Sequence, residues 1–251
     1  MSLGCNTVPL IDWTDRSFGG HGSKDSDSDF RQLILHSVAY YETVSGPDVV
    51  TSEEEKYNKN LEETLLRLSD KELKQLLRER LALVVKEKQQ GKQLIWDKDF
   101  VEKVVKVHLP DLYPVIAGQV AKDSQSRPLS STQAELVQIS YTPGSTTKTF
   151  AIYGKHWTGY KLYGFFCRIY WAWNDTQITN VLPSTYGEIY DPTWEYKGLK
   201  ANQQYYVSPQ QFHKYVEGWF QYYYGIQNKY PWLDIDVYAG GSSDCSSGIS
   251  G

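Results

Sequence analysis

The hydrophobic period of the chain changes once along its length, and that change limits the fold more than any other feature. Upstream of residue 122 the apolar residues recur at helical spacing; from Leu136 onward they alternate. Between the two, residues 122–135 hold Ser124, Ser126, Pro128, Ser130 and Ser131 with no apolar period, which is linker composition. Composition shifts at the same place. Of the 28 Tyr and Trp residues, 22 lie between Leu136 and the C-terminus. That segment carries eight basic and eight acidic residues, so the net charge of −4 belongs entirely to the upstream part. A new period arriving with a new composition predicts two architectures in one chain.

In the upstream part, residues 1–28 contain Gly19-Gly20-His21-Gly22 and an Asp/Ser alternation with little to bury, and read as a flexible arm. Phe30, Leu33, Ile34, Val38 and Tyr41 then take helical spacing up to Gly46-Pro47. Thr51 with Glu54, and Ser69 with Glu72, have the form of capping boxes and open two further helices. Gly91 suits the left-handed residue just past a helix end. Asp97 can cap a helix that Pro110 stops, and Leu112, Val115, Ile116 and Val120 suggest a short fifth. Short helices with brief connections predict a small antiparallel bundle over 29–121.

Downstream, Leu136–Tyr141 is strand-like, Thr142-Pro143-Gly144 can turn the chain and Thr149–Tyr153 can return it. The longest strand candidate runs from Tyr160 to Trp173. Phe165, Cys167, Ile169, Trp171 and Trp173 face one way there, and Phe166, Arg168, Tyr170 and Ala172 the other. Further strands are expected at Gln177–Val181, Thr193–Gly198, Phe212–Tyr224 and Leu233–Tyr238, with residues 241–251 as a flexible tail. Short aromatic strands separated by Gly, Pro and Asn turns predict an antiparallel β-sandwich over 136–240. The fold class expected is therefore α+β, a small helical bundle followed by that sandwich.

Tyr170-Trp171-Ala172-Trp173-Asn174-Asp175, then Gln177-Ile178-Thr179, Trp194-Glu195-Tyr196-Lys197-Gly198 and Tyr230-Pro231-Trp232-Leu233-Asp234-Ile235 form an ordered series of aromatic landmarks. In these the chain resembles the β-domains of uncharacterised secreted proteins of Gram-positive bacteria, over residues 150–240. The resemblance implies secretion and a sandwich, and it implies no chemistry. Ser2-Leu3-Gly4-Cys5 ends like a lipoprotein cleavage site without the apolar stretch that should precede it, and reads as chance.

Several chemistries find no signature. Neither a Gly-rich phosphate loop nor a nucleophile elbow in strand–turn–helix context is present. The mild acidity carries no basic footprint for nucleic acid, and no apolar run approaches the ~20 residues of a bilayer span. Asp25, Asp27 and Asp29 alternate like a calcium loop, but Phe30 stands where Gly is required and His36 where Glu is. His21, His36, His108, His156 and His213 show no paired metal spacing. Cys167 reads as a buried free thiol, with a bridge to Cys245 left open. No cofactor or metal is expected.

Two leads remain. Asp234 and Asp236 project from one face of a strand, and Glu188, Asp191 and Glu195 flank Trp194, the raw material of a polysaccharide hydrolase. An outward Asp on an alternating strand is more often a solvated residue. The aromatic excess points instead to recognition, since Trp and Tyr offer large area at low entropy cost with a polar tip. Trp157, Trp194, Trp219, Trp232 and Tyr223 are the binding candidates. The leading expectation is a non-enzymatic secreted or surface-associated protein that binds a partner or carbohydrate. A hydrolase and a structural component of a virus particle or extracellular assembly are the alternatives.

Overall fold

The computed structural model describes residues 26–46, 59–125, 141–222 and 227–250. Helices α1 (Ser26–His36), α2 (Lys59–Arg67), α3 (Asp70–Gln89), α4 (Lys98–Phe100), α5 (Lys106–His108) and α6 (Tyr113–Gln125) lie in the first half. A π-helical turn, Val101–Val105, joins α4 to α5 in one rod. Strands β1 (Tyr40–Gly46) and β2 (Leu94–Trp96) are interleaved with them. Among the described residues the second half forms strands: β3 (Gly144–Lys155), β4 (Lys161–Trp173), β5 (Ile178–Ile189), β6 (Trp194–Ser208), β7 (Gln211–Tyr222), β8 (Asn228–Tyr238) and β9 (Ser243–Ser250). They form two antiparallel sheets, ordered β2-β1-β3-β4-β5 and β6-β7-β8-β9.

The local signals for α3 hold. Ser69 Oγ accepts from the Glu72 N–H while the Glu72 carboxylate accepts from the Ser69 N–H at 2.8 Å, the reciprocal bonds of a capping box. Gly91 has a φ of 95°, as a residue just beyond a helix end requires. Asp97 caps α4, its Oδ1 accepting from the Phe100 N–H at 3.0 Å. The box at Thr51 and the strand-like Leu136–Ser140 lie outside the described residues, as do the arm up to residue 25 and linker residues 126–135.

Elsewhere the structure departs from expectation. Val38 and Tyr41 fit the helical spacing of Phe30 and Ile34, yet α1 stops at His36; Val38 lies in the connection that follows and Tyr41 belongs to β1. Pairing with β3, from Tyr40↔Lys155 to Gly46↔Thr149, overrides the local period; Tyr-Tyr-Glu-Thr-Val is also good strand composition. Lys122 and Asp123, assigned to the linker, continue α6. Gly144, expected in a turn, starts β3. Residues 243–250, assigned to the tail, are the outer strand β9, because β8 offers it an open edge from Val237 to Tyr230.

Two cores follow from this layout. Phe30, Ile34, Leu77, Leu81, Phe100 and Val104 fill the helical core, and Tyr40, Leu94, Trp96 and Trp157 from the strands and a β-turn complete it. The second core lies between the sheets. Phe165, Cys167, Ile169 and Trp171 of β4 meet Phe212, Val216 and Phe220 of β7 and Leu233, Ile235 and Val237 of β8. Neighbouring residues of β1 divide between them, Tyr40 in the first and Tyr41 in the second. Each such large side chain contributes about 1.5–3 kcal/mol through burial.

A buried lysine with two carboxylates helps tie the halves together. Lys229 of β8 is buried with its Nζ 2.7 Å from Asp97 and 2.8 Å from Asp99. Tyr41 Oη donates to Asp97 and Tyr163 Oη donates to Tyr41 Oη, both at 3.3 Å. Burial opposes the charge on Lys229, but the two carboxylates outweigh it and raise the lysine pKa. The capping aspartate of a helix is thus the counter-ion of a strand.

Candidate recognition face

The four-stranded sheet has one face in the core and one in solvent. Along β8, buried Leu233, Ile235 and Val237 alternate with half-buried Trp232, Asp234 and Asp236. On β7, Phe212, Val216 and Phe220 point inward, which sends His213, Tyr215, Glu217 and Trp219 outward. Strand register assembles the outward residues into rows: Tyr205–His213–Asp236–Asp244, Gln203–Tyr215–Asp234–Ser246 and Ala201–Glu217–Trp232–Gly248.

The aromatic members form a surface. The rings of Tyr215 and Trp232 are 6.3 Å apart at 29°, and those of Trp219 and Tyr230 are 6.4 Å apart at 41°. Trp232 lies over Gly248 of the next strand: a Cβ there would stand 2.4 Å from Cζ2 of the indole, so only glycine admits the ring. Lys200 Nζ sits 3.8 Å from the centre of the Tyr230 ring and 3.5 Å from Glu217. Trp219 Nε1 donates to Asn228 Oδ1 at 3.0 Å, and 37 % of the residue is exposed.

Beside the rings is a polar trio. His213 Nδ1 is 3.1 Å from Asp236 Oδ1 and 3.5 Å from Asp234 Oδ1, and the imidazole packs 4.8 Å from the Tyr205 ring. Gln211 Nε2 donates to the same Asp236 oxygen at 3.0 Å. Burial lifts the Asp234 pKa above the usual carboxylate value; His213 opposes the lift and Asp236 adds to it. The two carboxylates therefore converge on one histidine, on an open sheet, instead of facing each other across a cleft. Among the described residues no group of His, Cys, Asp and Glu is arranged to hold a metal.

The five candidates separate. Trp157 is fully buried in the helical core with Nε1 donating to the Ile34 carbonyl at 2.8 Å. Trp194 is buried as well, its Nε1 donating to the His36 carbonyl at 3.2 Å and its ring 4.9 Å from Tyr163. Trp219 and Trp232 share the outer face. Tyr223 lies outside the described residues.

The other acidic leads have local partners. Asp191 is wholly buried, its Oδ1 accepting from the Thr193 N–H and hydroxyl; Glu188 accepts from Tyr190 Oη, and Glu195 pairs with Lys197. Cys167 and Cys245 are both free thiols, and burial pushes them up to about 11 and about 12.

Tyr215, Tyr230, Tyr205 and His213 are not among the binding candidates read from the sequence. Their signal was the two-residue spacing that places 215 and 217 with Trp219, and 230 and 234 with Trp232.

Compared with known proteins, the chain matches no family model, no curated protein and no solved structure. The reading of this face therefore rests on its own geometry. A depression of about 330 Å3 lies elsewhere, lined by Lys71, Lys74, Gln75, Arg78, His108 and Leu109, without any of these aromatic residues.

Proposed function

We propose that the two sheets form a β-sandwich and that the outer face of the four-stranded sheet binds carbohydrate, in a non-enzymatic secreted or surface-associated protein. One observation carries the reading: Tyr215, Trp219, Tyr230 and Trp232 occupy the side of the sheet that the core does not need. Flat rings in water offer stacking area to the apolar face of a sugar. Asp234, Glu217, His213 and Gln203 stand beside them with donors and acceptors for hydroxyl groups. An open platform suits an extended chain of sugars better than a small enclosed ligand.

The test is a glycan array on the full chain, followed by calorimetry with the best ligand. Trp219→Ala and Trp232→Ala should each weaken binding about tenfold, roughly 1.4 kcal/mol, while Trp194→Ala should act through stability. An array and pull-down without a ligand would remove the reading. The hydrolase alternative loses its main support, because Asp234 and Asp236 share His213 and do not flank a cleft.

A further inference from the structure

β6 is the longest strand, 15 residues, and it ends its sheet: β7 pairs with one side, and no strand among the described residues pairs with the other. An open edge is a row of unpaired N–H and C=O groups that another strand can complete. Proteins usually blunt such an edge with charge, bulges or brevity. β6 has bulges at Leu199/Ala201 and Tyr206/Ser208, but between them Ala201–Tyr206 pairs one-to-one with Glu217–Phe212. Those six residues carry no charge. Two of them are also tied to the neighbouring strand: Lys214, buried on the inner side of β7, donates to Asn202 Oδ1 and, at 2.8 Å, to Gln204 Oε1.

The edge is also apolar beyond ordinary surface. Tyr205, Tyr206 and Val207 are between 52 % and 53 % exposed. Leu199 is exposed too, as are Leu182, Tyr186 and Ile189 on β5, the last strand of the other sheet and a contact neighbour of β6. More than half of the exposed large apolar side chains among the described residues lie on these two strands. A concentration of this kind marks an interaction surface.

We propose that β6 pairs with β6 of a second copy of this chain, antiparallel across a two-fold axis. Residues opposed in an antiparallel pair project to the same face, so the axis must fall on a residue. Centred on Gln203, the pairing sets Asn202 against Gln204 and Ala201 against Tyr205. Centred on Gln204, it sets Gln203 against Tyr205 and Asn202 against Tyr206. Neither register opposes like charges, whereas an uncharged strand gives a foreign charged segment nothing to select. A two-fold contact is closed, so growth stops at the dimer. Two four-stranded sheets would become one of eight, with both aromatic faces on the same side. The pairing stands whether or not that face binds sugar.

Sedimentation velocity of the full chain tests it, with twice the 28.9 kDa chain mass expected. Gln203 and Tyr205 are exposed and neither side chain enters a core, so both can be replaced with the cores intact. Gln203→Lys with Tyr205→Lys opposes like charges in either register and should weaken the dimer at least tenfold; so should Gln203→Glu with Tyr205→Glu. Mixing the two variants should restore a dimer, because Lys then faces Glu. A 28.9 kDa species at every concentration, variants as dimeric as the parent, or a mixture that stays monomeric would each overturn the proposal.

Discussion

His156 sits in the turn after β3 with no exposed surface. Its Nε2 donates to the Ile34 carbonyl at 2.6 Å, and its Nδ1 accepts from the Thr158 hydroxyl at 2.7 Å and from the Thr158 N–H. That set of partners describes a neutral imidazole with its proton on Nε2. Burial pushes the pKa down to about 4; the Ile34 carbonyl pulls back upward, and His36 adds to the depression. Above pH ~6.5 the folded and unfolded chains both hold this histidine neutral. Between there and about 4 the unfolded chain takes up a proton that the folded chain refuses, so stability falls as the pH falls. A depression of this size is worth on the order of 3 kcal/mol. The urea midpoint should drop through that window and flatten in His156→Gln. A folded-state imidazole signal that titrates near 6.5 would remove the prediction.

At the scale of strands, glycines and rings occur as partners. A Cβ on Gly154 would meet the Tyr163 ring at 2.6 Å, and on Gly187 the Tyr196 ring at 2.6 Å, just as Gly248 admits Trp232. A ring laid across a strand glycine covers backbone that the missing side chain leaves bare. Gly248→Ala should lift Trp232 from β9 and cost about 1–3 kcal/mol, with a shift in tryptophan emission that Gly118→Ala, in open space on α6, should not produce. These pairings explain how much of the architecture the sequence disclosed. The alternation of β8, and of β4 from Cys167 onward, was legible because one face is dry and the other wetter, a pattern written into adjacent residues. β1 and β9 were not legible. The three-residue spacing of Val38 and Tyr41 reads as helical, and Ser243–Ser250 has too little apolar content to register; Tyr40–Gly46 and Ser243–Ser250 become strands through neighbours distant in the chain. The same limit applied to the recognition face. Trp219 and Trp232 drew notice as tryptophans, while Trp157 and Trp194 looked identical until their indole N–H groups were seen to serve buried carbonyls.

For the whole molecule, the separation expected at residues 122–135 does not divide the structure. β1 stands between β2 and β3 in the five-stranded sheet, Tyr41 enters the core between the sheets, and Asp97 neutralises Lys229. A fragment beginning at Leu136 should therefore fail to unfold cooperatively. It would expose the β3 edge from Thr149 to Lys155 and leave Lys229 buried without its counter-ions, a loss of about 3–5 kcal/mol by itself. Calorimetry of that fragment checks this, and a sharp transition matching the full chain would count against it. Adding the fragment 1–125 should restore order if the two pieces find each other.

The position of β1 also sets a timetable. During synthesis Tyr40–Gly46 leaves the ribosome long before β3 exists; β2 can pair with one edge of it from Tyr40 to Glu42, but until β3 appears the other edge has only water. The first half can coil into helices early but cannot close its core, since Trp157 arrives with the β3–β4 turn. Closure of both cores thus waits for β3 and the turn that follows it.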